Sequence, residues 1–156
     1  MMEQLDSETG LTVARLGKPV ELYLENFAQQ PAGRFAFIGP FETNSMGSRA
    51  LFLWVALPLD SELSGDPIIE ADGAPLALPA PSREASSAGL RQSPYRIPTP
   101  WSAMFYYKVD EALVTKLGNA SKLSVQVLEK TKDGGTKKSL FAAPVPDTRL
   151  QEFSAR

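Results

Sequence analysis

The chain is organised around residues 34–57, RFAFIGPFETNSMGSRALFLWVAL. Three phenylalanines share one side of a first predicted strand, and every residue of 50–57 is apolar. A half-exposed strand alternates apolar and polar residues, so an unbroken apolar run of this length is typical of a strand covered on both faces. Residues 42–49 contain the asparagine, glycine and serines of a turn and are predicted to connect the two strands. The stretch therefore predicts a hairpin at the centre of a β-rich core.

Length and composition limit what surrounds this hairpin. A chain of 156 residues is one domain by default and buries about two-thirds of its unfolded surface. The net charge is −2, from 16 basic and 18 acidic residues, so no overall field favours nucleic acid or a membrane surface. The chain has no cysteine and no histidine, which excludes disulfides and thiol nucleophiles and removes the commonest general base and metal ligand.

Further strands are predicted on both sides of the central hairpin. Residues 20–25 alternate apolar and polar side chains, which places this strand nearer a sheet edge. Asp72-Gly73 is a strong hairpin dipeptide, and the nearby prolines indicate that its hairpin is an edge hairpin. The predicted strands outside the central hairpin are 11–16, 20–25, 68–71, 76–78, 102–109, 122–130 and 136–142.

Helical signals follow the strand at 102–109. Asp110 is a good N-cap, and apolar residues at helical spacing predict a short helix from Asp110 to Leu117. Gly118 is predicted to end it in the left-handed conformation. The tail at 147–153 is predicted to form one helical turn that docks on the core.

The fold class predicted from these elements is all-β, an antiparallel β-sandwich with one short helix. Regular hairpins over about nine strands are typical of such a sandwich, and the immunoglobulin-like arrangement is one form of it. A single domain is expected over residues 1–156. It would have a polar N-terminal lead at 1–10 and a long, exposed and mobile Pro/Ser-rich loop at 79–100.

No catalytic template matches the chain. A Ser-His-Asp triad requires histidine, no glycine-rich phosphate loop is present, and the carboxylates are scattered singly. We therefore expect no enzyme activity and no cofactor. Two alternatives stay open: a hydrolase whose carboxylates converge on folding or hold a metal, and a small carrier of lipid or ligand with an apolar cavity.

Two surface features are candidates for partner recognition. Residues 95–101 combine aromatic residues, arginine and prolines, which is typical of protein interfaces, although Ile97 and Trp101 could simply pin this loop to the core. The second feature is a lysine-rich hairpin around Gly134-Gly135, which could contact anionic lipid or glycan or only protect an exposed edge. The candidate binding residues are Tyr95, Arg96, Pro98, Trp101, Lys130, Lys132, Lys137 and Lys138.

Several short motifs carry a resemblance to a known group. The run Gly39-Pro40-Phe41-Glu42, then Asn44, Gly47 and Leu53-Trp54, resembles uncharacterised envelope lipoproteins of Gram-negative bacteria, as does the segment 106–141. The resemblance implies secretion to the periplasm and lipid attachment to the outer membrane through an N-terminal cysteine. This chain has no cysteine, so that anchor would lie in a removed segment ahead of Met1-Met2, which resembles an added start. The leading functional hypothesis is a non-catalytic binding or structural module of the envelope that presents loops to a protein or envelope partner.

Overall fold

The computed structural model describes residues 2–6, 10–24, 35–58, 63–96, 102–130, 133–143 and 148–154. Within these ranges the chain forms a mostly antiparallel β-sheet with two short helices, which confirms the predicted β class. The strands are β1 Met2–Asp6, β2 Leu11–Arg15, β3 Val20–Leu24, β4 Phe35–Ser45, β5 Ser48–Pro58, β6 Ile68–Ala71, β7 Ala74–Pro75, β8 Ser102–Val109, β9 Leu123–Lys130 and β10 Thr136–Ala143. The helices are α1 Glu111–Asn119 and α2 Thr148–Ser154.

The predicted central hairpin is confirmed as β4 and β5, but its turn is shorter than predicted. The two strands pair from Phe37 with Ala56 down to Ser45 with Ser48. Only Met46 and Gly47 remain for the turn, with φ of 52° and 88°. Positive φ at both central positions is the geometry that continues the twist of a two-residue hairpin. The polar residues at 42–45 and 48–49 therefore belong to strands and not to a connector.

Strand β4 is the branch point of the sheet. One edge of β4 pairs with β5, which in turn pairs with β8. The other edge pairs with β3 over the first half of β4 and with β2 over the second half. Strand β1 adds to β2, while β10, β9, β6 and β7 follow β3. The prediction that residues 20–25 lie near an edge is wrong, because β3 lies between β4 and β10; its alternation reports one solvated face, not an edge.

One face of the sheet carries buried apolar residues from β8 across to β9 and β10. The register aligns Ile38, Val55 and Phe105 in one row across β4, β5 and β8, and all three are buried. Val125 and Phe141 lie on the same face in β9 and β10 and are also buried. These strands form one continuous hydrogen-bonded sheet, and its arrangement as a sandwich or an immunoglobulin-like domain remains a prediction.

The opposite face of the central strands is covered by residues 82–96, here called the cover. Trp54 and Phe41 are fully buried on this face. From the cover, Ala88, Leu90 and Tyr95 are buried as well. The expectation of an exposed loop is therefore wrong for these three residues. Their apolar side chains are isolated in the sequence and follow no period, so their burial is decided by the sheet that they meet.

Both helices form close to where the sequence predicts helical structure. Asp110 is the N-cap of α1, since its Oδ1 accepts the Leu113 N–H at 2.9 Å. The expected stop at Gly118 is wrong, because α1 runs through to Asn119 and ends on an extended Ala120. Helix α2 buries its two apolar side chains, as predicted for the tail, and packs against α1. These two side chains are Leu150 and Phe153.

Two terminal parts of the sheet differ from the sequence prediction. The sequence predicts no strand in the polar lead at 1–10, yet Met2–Asp6 forms β1 along β2. The Asp72-Gly73 turn is confirmed, with φ of 52° and 82°, but its second strand is Ala74–Pro75 and not 76–78. The Asp72 carboxylate also accepts the N–H groups of Ser121 and Lys122, so it joins this turn to the segment after α1.

Candidate functional site

Tyr95 anchors the cover to the sheet. Its side chain is only 2% exposed, and its ring lies 5.0 Å from the Trp54 ring, centroid to centroid. The ring also lies directly on Gly39, where an added Cβ would come within 2.6 Å of its carbon atoms. Glycine at this position of β4 therefore provides the space that the Tyr95 ring occupies.

The Tyr95 hydroxyl bonds to strand β4 and to the residue that follows strand β2. It accepts the Leu16 N–H at 3.2 Å and donates to the Pro40 carbonyl oxygen. Burial raises the pKa of the Tyr95 phenol, and the Leu16 N–H and the nearby Arg15 guanidinium offset part of that rise. The phenol consequently stays protonated and able to donate. In this position Tyr95 fixes the cover, and its ring does not face solvent.

The other residues predicted from 95–101 divide into one that the structure describes and two that it does not. Arg96 follows the anchor directly and is exposed. Pro98 and Trp101 lie outside the described residues, so their proposed contacts stay predictions. Of these three residues, Arg96 is therefore the one that the structure shows at the surface, directly after the buried Tyr95.

The lysines of the second predicted surface are partly described. Lys130 and Lys138 are exposed, and the register places them on one face of the β9–β10 hairpin as diagonal neighbours. Lys137 is in β10, but its side chain is outside the description, as is Lys132 altogether. The described part of this hairpin thus presents two cations on one face.

A groove that the sequence did not reveal lies beside the cover. It has a volume of about 340 Å³ and is bordered by β1, β2 and residues 90–94. Val13 and Leu90 contribute buried apolar surface, Gln4, Gln92 and Ser93 contribute neutral polar groups, and Arg91 contributes a positive charge. Strand β1 was not predicted, so no pattern in the sequence could have brought these residues together.

The outer strands β8 and β1 lie on either side of the cover, and they differ in whether another described segment pairs with their outer backbone edge. Ser82 exchanges backbone hydrogen bonds with Tyr106 of β8 at 2.9 and 2.7 Å. The Arg83 side chain adds a bond from its Nε to the Met104 carbonyl oxygen at 2.9 Å, and its guanidinium carbon lies 4.4 Å from the Phe105 ring centroid. Among the described residues no strand pairs with the outer edge of β1.

The carboxylates of the described residues form no obvious reaction centre. No group of three or more Asp, Glu, His or Cys side chains within these ranges is placed to hold a metal ion. Glu42 is engaged by Arg49 through two bonds of 2.8 and 2.9 Å. The alternative of a hydrolase therefore gains no support from this geometry and remains untested.

A second buried tyrosine contrasts with Tyr95. The Tyr107 hydroxyl is buried and has no hydrogen-bond partner among the residues that the structure describes. Burial raises the pKa of this phenol, and the Asp66 carboxylate raises it further. The Tyr107 hydroxyl lines none of the grooves described here, so it defines no site.

The comparisons with known proteins add no identity to this geometry. The chain matches no protein-family model, no curated protein and no solved structure. Among the described residues, neither helix has the length and apolar character needed to cross a membrane.

Proposed function

We propose that this chain is a non-catalytic binding module that presents the surface around the cover to a protein partner. The observation that carries the proposal is the anchoring of Tyr95, whose ring and hydroxyl fix the cover to the sheet through Gly39, Trp54, Leu16 and Pro40. A loop held in one conformation before binding loses little conformational entropy when a partner binds. The exposed residues beside the anchor are therefore favourably placed for recognition.

The bacterial envelope is the proposed location. This part of the proposal rests on the resemblance to envelope lipoproteins in the motifs of β4 and β5 and in residues 106–141. Cell fractionation of the source organism with a C-terminal epitope tag tests it. Recovery of the tagged protein with the outer membrane or periplasm is expected, and recovery with the cytosol would contradict the location without affecting the binding proposal.

Site-specific photo-cross-linking tests the binding surface. A benzophenone amino acid at Arg96, which is exposed beside the anchor, should capture one protein in living cells. The matched control is the same amino acid at Met46, which is 100% exposed at the far turn of the central hairpin. The captured protein is then purified, and its affinity for the unmodified chain and for Arg96→Glu is measured.

A drop in affinity of about tenfold or more for Arg96→Glu would support the proposal. Equal capture at both positions, or equal affinity of the two chains, would overturn the cover as the recognition surface. The lysine hairpin is the second surface to test. Lys138→Glu should weaken adsorption to vesicles that contain anionic lipid if this hairpin contributes, and should leave it unchanged if the lysines only protect the strands.

A further inference from the structure

We propose that β1 binds an extended segment of a partner protein as an additional strand, with basic and apolar residues alternating along that segment. This proposal rests on the binding function proposed above and names the form of the partner. In strand addition, backbone hydrogen bonds supply affinity and pockets beside the edge select side chains. Both requirements are met at β1.

The backbone requirement follows from a comparison of the sheet's outer strands. β7 is only Ala74–Pro75, and proline has no N–H to donate to a further strand. The outer edge of β8 is capped by Ser82 and Arg83. Strand β1 has neither protection within the described residues, and its Leu5 side chain is 65% exposed. Within the described residues this edge has no proline and no covering segment, and it carries an exposed leucine beside acidic side chains. Such an edge is open to pairing with a chain of opposite charge.

The groove supplies the side-chain requirement on one face of the sheet. By register Gln4 and Val13 are paired and share a face, and Leu90 of the cover lies beside them in the same groove. An added strand next to β1 would direct every second side chain toward this face. Val13, Leu90 and Pro94 form the apolar part of this groove and can accept such side chains, while Arg91 and neutral polar residues line the rest.

The other face of β1 favours positive charge. Glu3, Ala14 and Glu42 lie in one row across β1, β2 and β4, so the small alanine separates two acidic positions. Arg49 pairs with Glu42, and Glu3 is exposed at the outermost strand. A lysine opposite Glu3 would form a favourable cross-strand pair, and its aliphatic stem would cover the neighbouring Leu5.

A second copy of this chain fits the edge less well than a partner segment does. The sequence of β1, MEQLD, has two acidic residues and no basic one, so two copies would bring like charges together. A ladder of five residues also buries far less than the roughly 800 Å² per partner that is typical of a stable dimer. A short basic segment avoids the contact between like charges, and a weak, transient complex does not need the area of a stable dimer.

The probe is a synthetic heptapeptide of alternating lysine and valine with blocked ends. Its two controls are the same peptide with glutamate in place of every lysine and with proline in place of the central valine. Binding to the full chain is measured by fluorescence anisotropy, and backbone amide exchange is followed residue by residue by NMR. The lysine peptide should bind and should slow exchange of outward-facing amides in Met2–Asp6 by about tenfold or more, while both controls bind more weakly.

Charge exchange sharpens the test. Glu3→Lys should lower the affinity for the lysine peptide by about tenfold, and this variant should bind the glutamate peptide more tightly than the lysine peptide. Leu5→Lys should lower the affinity for the lysine peptide by a similar factor. The control is Met46→Lys, which makes the same apolar-to-basic change at a fully exposed turn and should leave the affinity unchanged. These variants alter exposed side chains and are expected to fold.

Three results would overturn the inference. They are unchanged β1 exchange at saturating peptide, equal binding of the two charged peptides, and protection of β1 that grows with protein concentration alone, which would identify a second copy as the occupant. Each of these is distinguishable from failure of the binding function itself, because capture at Arg96 in cells is scored independently of β1 exchange.

Discussion

Strands β8 and β1 are two outer strands of the same sheet, and they differ in how their outer backbone edges are covered. Strand β8 receives backbone bonds from Ser82 and a guanidinium cap from Arg83, and the cover continues from there to Tyr95. Within the described residues strand β1 pairs with β2 and with no other strand, and Leu5 is exposed. The difference indicates that the covered side carries stability and the β1 side is available for association. Substitutions on the two sides should therefore change stability by very different amounts.

The largest effect is expected at Gly39. The variant Gly39→Val places a branched side chain where Tyr95 ring atoms already lie within 2.6 Å of an added Cβ. Overpacking of this kind should lower the free energy of unfolding by about 3 kcal/mol, as measured by denaturant titration. The matched control is Gly17→Val, since only the Met2 sulfur lies near an added Cβ there, at 3.9 Å. In a Tyr95→Ala background the cost of Gly39→Val should shrink, and an undiminished cost would contradict the proposed contact.

The second effect separates two buried tyrosines. Tyr95→Phe leaves the buried Leu16 N–H without its acceptor and should cost about 1–3 kcal/mol. Tyr107→Phe removes a buried hydroxyl that has no partner among the described residues, so it should be neutral or slightly stabilising. Equal effects of the two substitutions would show that the Tyr95 hydroxyl does not anchor the cover.

The same tyrosines predict a dependence on alkaline pH. Burial raises the pKa of Tyr95 above its ordinary value of 10.0, so the folded chain keeps a proton that the unfolded chain loses. The unfolded state binds fewer protons above pH 10, and the free energy of unfolding must therefore fall as the pH rises beyond that value. Each such tyrosine contributes a slope of up to about 1.4 kcal/mol per pH unit. Tyr95→Phe should reduce the slope, which is measured by denaturant titration across this range, and Tyr23→Phe, at a 47% exposed site, should alter it less.

A smaller effect on stability is expected at the capped edge. Arg83→Gln removes the bond to the Met104 carbonyl and the cation from the Phe105 ring, at a cost of about 1 kcal/mol. It also uncovers part of β8, so light scattering during heating should begin at a lower temperature than in the unmodified chain. Arg96→Gln is the control, and an identical scattering onset in both variants would remove the protective role of Arg83.

The smallest effect on stability is expected at the open edge. Leu5→Lys should change the free energy of unfolding by less than about 0.5 kcal/mol, because the leucine is 65% exposed. Its consequence should appear in peptide binding instead. A cost near that of Arg83→Gln, measured by the same denaturant titration, would show that β1 contributes to folding as much as β8 does.

The parts of the fold that were predictable carry local signals. The apolar run in β5 and the carboxylate of Asp110 at the start of α1 specify a buried strand and a helix N-terminus from neighbouring residues alone. Strand β1 has no such signal. Its described side chains are exposed, and the strand is held by backbone bonds to β2, which leave no period in the sequence.

The candidate site was harder to predict than the fold. The composition of 95–101 indicated an aromatic and basic cluster, but composition does not distinguish a buried anchor from a surface contact. Tyr95 is the anchor and Arg96 is at the surface, and this division depends on the space above Gly39. The groove beside β1 brings Gln4 and Leu90 together, and a pairing so distant in the chain is visible only in the folded protein.

The bond between Leu16 and Tyr95 joins residues 79 positions apart in the chain. Contacts of such separation tend to form late in folding, because the chain loses the entropy of closing a long loop before the contact can stabilise it. During synthesis on the ribosome, the face of β4 and β5 that holds Trp54 is made well before Tyr95 emerges to shield it. If the hairpin forms as soon as it is synthesised, we expect it to expose an aromatic surface that a chaperone can bind until Tyr95 follows.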